Sequence, residues 1–252
     1  MNKQTLYLST MDPHGHLLAR KYGLGLEIAE YCTAWNMDDA FPQTHAQVTE
    51  KIKDCPRLTF HAPFNELFPC AIDPKARALA AERYRQAIRL AKSYGAGKVV
   101  IHGGFQPRMY YPVWYVEQSV QFWREFLRED PGVPIVLENV LEEDPDWLLE
   151  IVRKVNSPRL GLCLDVGHVN AYSPVPVAEW VERWRPWLSH FHLHNNDGSW
   201  DTHDGLNCGS IPMKELLCRV EKICPEATIT LELMDAQPSL RWLQEEHLWN
   251  GI

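Results

Sequence analysis

Residues 135–168 read IVLENVLEEDPDWLLEIVRKVNSPRLGLCLDVGH, and the prediction of the fold begins with this segment. Two apolar runs typical of strands, Ile135–Leu137 and Leu162–Leu164, flank a segment with apolar residues at helical spacing after Asp144 and Pro145. A strand, a helix and a second strand in this order form a unit whose two strands lie parallel in one sheet.

The same alternation continues along the chain in both directions. Apolar or β-branched runs predict eight strands, at Leu6–Leu8, Leu24–Ile28, Leu58–Phe60, Val99–Ile101, Ile135–Leu137, Leu162–Leu164, Phe191–Leu193 and Ile229–Leu233. Helical patterns lie between them, and the clearest begins with Asp73 as N-cap and Pro74 in the first turn. Eight such units in 252 residues predict a single-domain α/β protein, a (β/α)8 TIM barrel over residues 1–252. An open doubly wound sheet is the alternative, but no G-x-G-x-x-G follows the first strand.

The composition is that of a globular protein with an acidic balance. The chain has 25 Lys and Arg against 33 Asp and Glu, a formal net charge of −8, and 45% hydrophobic residues. This charge disfavours binding to nucleic acid or to an anionic membrane. The seven cysteines form no C-x-x-C pair, and we find no signal peptide or membrane-spanning run. We therefore expect a cytoplasmic protein, whose oligomeric state stays open.

Polar side chains close six of the predicted strands. Catalytic sites of TIM barrels form at the C-terminal ends of the strands, so these side chains should converge. They are His61, His102, Glu138, Asp165 with His168, His192 with His194, and Glu232, joined by Asp201 and His203 from the loop after the seventh strand. His192 and His194 point to the same side of a regular strand, and we rank His192 first as a metal ligand.

The crowding of carboxylates predicts bound cations. No Lys or Arg occurs in these strand-end motifs, and an unpaired charge in a poorly solvated mouth costs several kcal/mol. Mixed imidazole and carboxylate ligands without thiolates suit zinc or manganese, and also cobalt or iron, better than calcium. We expect one to three divalent ions per chain.

These motifs resemble the xylose isomerase-like barrel superfamily, which includes endonuclease IV and sugar or sugar-phosphate isomerases and epimerases. The resemblance runs from the second strand to Glu232 and is most specific at His-Ala-Pro 61–63, His-Gly-Gly 102–104, Glu138-Asn139, Asp165-x-x-His168 and His192…Asp201-x-His203. It implies a metal site shared by the epimerases, formed by Glu138, Asp165, His192 and Glu232. For the endonuclease-like members it implies a three-zinc cluster completed by His61, His102, His168, Asp201 and His203.

The resemblance implies two reaction classes. An isomerase or epimerase would act on a small sugar or sugar phosphate through a metal-stabilised enediolate, with Glu138 and Glu232 transferring the proton. His168 and His61 would bind hydroxyl or phosphate groups. An endonuclease IV-like phosphoester hydrolase would instead use two or three zinc ions to activate water.

The remaining residues favour a small sugar-like substrate over nucleic acid. Further substrate contacts are expected from His194 and from aromatic pocket walls, chiefly Trp35, Phe64 and Trp200. Asp38 and Asp39 occupy a loop where a DNA-binding protein would need cations, and Arg57 and Arg108, expected near the mouth, are too few for a basic track. A barrel that binds metal without turnover is a third alternative, disfavoured because every acid/base candidate is present.

Overall fold

The computed structural model describes residues 2 and 4–249, which form a closed barrel of eight parallel strands. The strands are β1 Leu6–Ser9, β2 Gly25–Ile28, β3 Leu58–His61, β4 Val99–His102, β5 Ile135–Glu138, β6 Leu160–Asp165, β7 Leu188–Leu193 and β8 Thr228–Leu231. Each strand pairs with the next, and β8 closes onto β1. The predicted (β/α)8 barrel is confirmed, and the open-sheet alternative is wrong.

Nine α-helices in the described part of the chain surround the barrel. They are α1 Gly15–Tyr22, α2 Phe41–Ile52, α3 Pro74–Ser93, α4 Pro112–Phe126, α5 Pro145–Val155, α6 Val166–Tyr172, α7 Val177–Trp184, α8 Met213–Ile223 and α9 Gln237–Glu245, and a short 3₁₀ helix spans Ala34–Met37. The predicted cap of α3 is confirmed, since the Asp73 side chain accepts from the Lys75 backbone N–H at 2.8 Å. Among these described helices, none has the length and apolar character needed to cross a bilayer.

Large aromatic side chains fill the space between the helices and the barrel. Trp123 of α4 stacks on Tyr84 of α3 with ring centroids 5.9 Å apart. Trp180 and Trp184 of α7 are fully buried, and the Trp184 indole N–H donates to the Pro145 carbonyl at 2.8 Å. These tryptophans therefore pack the outer shell, and the buried Trp184 indole keeps a polar partner.

The barrel interior is apolar on one side and polar on the other. Strands β4, β5 and β6 contribute a small apolar cluster of Val100, Val136 and Cys163. The facing strands contribute buried polar side chains, which are Glu27, Thr59, His190 and Thr230. Branched aliphatic residues usually fill the interior of a TIM barrel. Buried polar residues in their place are typical of a functional site rather than of a core selected for packing.

Lys98, immediately before β4, lies at the opposite end of the barrel from the predicted site. Its Nζ donates to the Ser189 carbonyl at 2.5 Å and to Thr228 Oγ1 at 2.8 Å. Burial lowers the pKa of its ammonium group from 10.5 to about 8. Between these two pH values the unfolded chain binds more protons than the folded protein, so the stability must rise with pH.

We therefore expect a pH-dependent difference between the wild type and Lys98→Met. From pH 8 to pH 10.5 the wild type should gain about 3 kcal/mol in free energy of unfolding relative to the variant. Urea unfolding at a series of pH values measures this difference. Equal pH slopes for the two proteins would show that Lys98 titrates normally in the folded state.

Candidate metal centre

Four predicted ligands meet at the C-terminal end of the barrel, and we call them the first group. His192 of β7 lies among Glu138 of β5, Asp165 of β6 and Glu232, which follows β8. Its Nδ1 lies 3.3 Å from Glu138 Oε1, 3.4 Å from Glu232 Oε1 and 3.9 Å from Asp165 Oδ2. All four residues are at most 8% exposed.

The first group fits a divalent cation. Ligand atoms about 2.1 Å from a tetrahedral metal lie roughly 3.4 Å apart, close to the spacing of His192 Nδ1 from Glu138 and Glu232. Within the described residues, the buried His192 Nδ1 has no hydrogen-bond partner. In the same part of the chain, the three carboxylates lie within 4 Å of histidine nitrogens and form no ion pair with Lys or Arg. A cation would satisfy the nitrogen and the carboxylates together.

The candidate ligand histidines are held in place through their second ring nitrogen. Nδ1 of His61, His168 and His203 each lies 2.9 Å from a backbone carbonyl oxygen. A carbonyl only accepts, so Nδ1 carries the proton and Nε2 of the neutral ring keeps its lone pair. His192 is oriented the other way round, with Nε2 lying 3.0 Å from Glu27 Oε1. Such partners are typical of metal-binding histidines.

The Glu138 carboxylate is shared among several histidines. Its Oε2 lies 3.1 Å from His61 Nε2 and 3.6 Å from His102 Nε2. Its Oε1 faces the first group and also lies 3.4 Å from His168 Nδ1. One oxygen therefore faces the His61 and His102 side while the other faces His192, an arrangement in which a carboxylate can bridge two ions.

A second group consists of His168, His194, Asp201 and His203, whose ligand atoms lie within 4.8 Å of one another. Asp201 Oδ2 lies 3.2 Å from Nε2 of both His168 and His203. His203 has a φ of 52°, in the left-handed region that costs energy for a residue other than glycine. Three imidazoles and one carboxylate form a four-ligand set of the kind that zinc accepts. Together with the first group and the His61–His102 side, it brings all nine predicted ligands to one centre.

His194, expected from the sequence to contact substrate, lies in this second group and is fully buried. Its Nε2 lies 3.1 and 3.2 Å from the two Asp165 oxygens and 3.5 Å from Asp201 Oδ1. Its ring stacks on His203 with centroids 3.9 Å apart. A ring enclosed by other candidate ligands has no face left for a substrate, so the geometry favours the alternative of a metal ligand.

Gly167 leaves the space that the His194 ring occupies. A Cβ at this position would lie 1.9 Å from His194 Cε1. We expect Gly167→Ala to displace the ring, to lower the free energy of unfolding by about 1–3 kcal/mol and to weaken cation binding by the second group. Gly205→Ala is the control, because the atoms nearest to its Cβ lie at 3.4 Å or farther. Urea unfolding and elemental analysis would contradict this role if both variants matched the wild type.

Burial and neighbouring charges separate the two candidate acid/base glutamates. Burial raises the pKa of Glu232, and the adjacent Glu138 carboxylate raises it further, against the opposing effect of His192. Burial also opposes ionisation of Glu138, but the neighbouring His192 imidazole holds its pKa well below the usual range. Burial lowers the pKa of His102 to about 3, so this ring is a neutral imidazole near pH 7.

Aromatic side chains lie around the candidate metal centre. Phe64 stacks on His102 with ring centroids 4.2 Å apart. Trp200 meets Tyr172 edge-on at 6.3 Å, and Tyr172 lies against a histidine of the second group. Trp35, in the 3₁₀ helix after β2, is 62% exposed and Trp200 is 66% exposed, so both offer apolar surface to a ligand.

Basic residues at the mouth are fewer than expected. Arg57 precedes β3 and therefore lies at the N-terminal end of the barrel, where its Nη1 donates to Gln4 Oε1 at 2.8 Å. The expectation that Arg57 is near the mouth is wrong, because residues before a barrel strand face away from the catalytic end. Arg108 lies in the loop after β4, at the C-terminal end of the barrel. One arginine does not form a basic track for the phosphates of a nucleic acid.

Two buried polar residues support the centre in ways that the sequence reasoning missed. Asn139 ties β5 to β6, since its side chain accepts from the Asp165 N–H at 2.9 Å and donates to the Asp165 carbonyl at 3.0 Å. Glu27 contacts His192 from β2, a strand to which we assigned no site residue. The available signal was a charged residue inside the otherwise apolar run Leu24–Ile28.

Comparison with known proteins defines the class. Residues 19–249 match the family model of the xylose isomerase-like TIM barrel. The chain therefore belongs to the xylose isomerase-like TIM barrel family, which confirms the resemblance of its motifs. It is also similar to an uncharacterized protein of Methanocaldococcus jannaschii, MJ1311, with 32% identity over 202 residues that cover 75% of this chain and 69% of the relative.

Solved structures with this fold include sugar epimerases. A D-tagatose 3-epimerase-like protein superposes with a TM-score of 0.81 and 25% identity, over 97% of both chains. The TTHB071 protein of Thermus thermophilus, soaked with ZnCl2, gives 0.75 and 24% over 96% of this chain and 98% of that one. D-Psicose 3-epimerase from Clostridium cellulolyticum H10, with D-tagatose, gives 0.69 and 17% over 90% and 84%. The last two similarities concern the fold alone.

Proposed function

We propose that the protein is a divalent-metal-dependent isomerase or epimerase that acts on a small sugar or sugar phosphate. The observation that carries this proposal is the position of Glu138 and Glu232 at 3.3 and 3.4 Å from the buried Nδ1 of His192. Two carboxylates with pKa values shifted in opposite directions thus share one cation position. Zinc or manganese suits this ligand set, with one to three ions per chain.

The two glutamates supply the proton transfer. A cation held by the first group would stabilise the negative charge of an enediolate formed from a hydroxy-carbonyl sugar. Glu138 and Glu232 take and return the proton on opposite sides of the carbon next to the carbonyl. His168 and His61 hold hydroxyl or phosphate oxygens of the substrate when they do not bind a second ion.

The surroundings of the metal centre suit a small sugar. The exposed faces of Trp35 and Trp200 and the ring of Phe64 provide apolar walls, and the ligand side chains provide polar groups for hydroxyls. The similarity to the D-tagatose 3-epimerase-like structure supports the same substrate class. An acidic chain with net charge −8 disfavours nucleic acid as the substrate.

The second group supports one alternative, an endonuclease IV-like phosphoester hydrolase with two or three zinc ions. Asp201 with His168 and His203 can hold an ion beside the first group, and the Glu138 carboxylate can bridge toward His61. A cluster of this kind activates water and stabilises a leaving oxygen. In that reaction the glutamates serve as ligands rather than as proton carriers.

Metal content and turnover distinguish the two proposals. We expect the zinc- or manganese-loaded protein to interconvert epimers in a panel of ketoses and ketose phosphates, and His203→Ala to retain the cation of the first group. Two or three ions per chain, loss of the extra ions in His203→Ala and cleavage of phosphoesters or abasic DNA would support the hydrolase. Bound metal without turnover on either class would overturn both in favour of a binding protein.

A further inference from the structure

Glu27 is a fully buried carboxylate in the polar half of the barrel interior. Its Oε1 lies 3.0 Å from Nε2 of His192, the nitrogen opposite the one that faces the first group. Among the described residues neither Glu27 Oε1 nor His192 Nε2 has a hydrogen-bond partner, so the 3.0 Å separation joins two buried polar atoms that are otherwise unsatisfied. Burying a charged carboxylate is costly unless the charge is paired. The contact with His192 therefore offsets part of the cost of burying Glu27.

Three donors from neighbouring strands fix the other oxygen of Glu27. Its Oε2 accepts from Thr59 Oγ1 at 3.0 Å, from His190 Nε2 at 3.1 Å and from Thr230 Oγ1 at 3.2 Å. The Thr228 hydroxyl lies 2.5 Å from His190 Nδ1 and can donate to it, which leaves the His190 Nε2–H for Glu27. The carboxylate is therefore tied to β3, β7 and β8 and cannot rotate away from His192.

The partner of His192 differs from that of the other candidate ligands described above. His61, His168 and His203 each have a backbone carbonyl beside their second ring nitrogen, whereas His192 has an ionised side chain. A carboxylate accepts a stronger hydrogen bond than a carbonyl does, and it makes the metal-binding imidazole a better ligand. The acceptor beside the second ring nitrogen is therefore a carboxylate for His192 and a backbone carbonyl for these three histidines.

We propose that Glu27 is a positioning residue that holds the Nε2–H of His192, directs Nδ1 at the cation position and makes the first group the tightest cation site of the centre. This inference rests on the proposed function, because it requires a cation in the first group. The polar half of the barrel interior then serves as the support of the metal centre, with Thr59, His190 and Thr230 locking the carboxylate in place.

Cation affinity tests the role of Glu27 without any assay of sugar turnover. In a His203→Ala background, which leaves the first group intact, competition with a chromophoric chelator gives the Kd for Co²⁺ or Zn²⁺. We expect Glu27→Gln to raise this Kd by about 10–100-fold and to change the ligand-field spectrum of bound Co²⁺. The Nε2–H proton of His192 in the zinc-loaded protein should lose its low-field NMR position in the same variant.

Glu142→Gln is the matched control. Glu142 is 1% exposed and accepts from the Tyr115 hydroxyl at 2.6 Å and from the Val140 N–H at 2.7 Å, so the variant alters a buried carboxylate that has partners other than His192. Thr230→Val removes one donor from Glu27 and serves as a second test if Glu27→Gln does not fold, with an expected rise in Kd of about fivefold. An unchanged Kd and Co²⁺ spectrum in Glu27→Gln, or an unchanged Kd in Thr230→Val, would overturn the inference alone. A parent protein that binds no cation would overturn the proposed function and the inference with it.

Discussion

Glu138→Gln should abolish turnover and release the cation of the first group. The carboxylate lies 3.1 to 3.6 Å from the nitrogens of four histidines, so an amide would turn an N–H toward positions that need a negatively charged acceptor. We expect kcat for epimerisation to fall by roughly 10³-fold or more and the bound metal to fall by at least one ion per chain. Elemental analysis beside a rate assay measures both quantities.

The control for Glu138→Gln is Glu143→Gln, an exposed glutamate in the loop after the same strand. This control should keep the metal and the activity of the wild type. Unchanged metal content in Glu138→Gln would remove Glu138 from the ligands of the cation. Turnover unchanged by Glu138→Gln would remove it from the proton transfer as well.

Glu232→Gln should slow the reaction while much of the metal stays bound. Burial raises the pKa of Glu232, which suits a group that both accepts and returns a proton, whereas its amide cannot do so. The amide oxygen can still lie beside a cation. We expect kcat to fall by about 10²–10⁴-fold, with a much smaller change in KM.

Asp235→Asn is the matched control for Glu232→Gln. Asp235 is exposed, follows the same strand and, among the described residues, accepts from the Gln237 N–H at 3.0 Å. Loss of the Asp235 charge should leave the rate of epimerisation unchanged. A rate for metal-loaded Glu232→Gln within tenfold of the wild type would assign the proton transfer to another group, because general acid–base catalysis contributes at least about 10²-fold.

The fold could be predicted because its signals are local. Every strand of the barrel overlaps one of the short apolar runs, and the alternation with helical patterns leaves few topologies. The starts of β6 and β7 were predicted two and three residues too late, since Gly161 and Ser189 interrupt the apolar pattern near the beginnings of these strands. Strand pairing with neighbours, rather than local hydrophobicity, extends these two strands.

The candidate ligands could be predicted because the topology of the barrel brings strand ends together. His102 pairs with Glu138 across β4 and β5, and Asp165 pairs with His192 across β6 and β7. The burial of His194 could not be foreseen, since it depends on the space above Gly167. Tertiary packing alone decides such contacts.

The contact between Glu27 and His192 could not be predicted from the sequence either. The two residues are far apart along the chain, on β2 and β7, and meet only through the barrel interior. A glutamate in a short buried strand signals an unusual environment but does not name its partner. Only the folded structure shows the contact that underlies the proposed role of Glu27.

Solvent deuterium exchange tests the proposed chemistry most directly. The metal-loaded protein is incubated with ketoses and ketose phosphates in D2O, and the sugars are analysed by NMR and mass spectrometry. We predict deuterium at the carbon next to the carbonyl together with epimerisation, lost on chelation and in Glu138→Gln and Glu232→Gln. A fully metal-loaded protein that incorporates no deuterium into any of these sugars, yet cleaves phosphoesters, would contradict the proposal and establish the hydrolase instead.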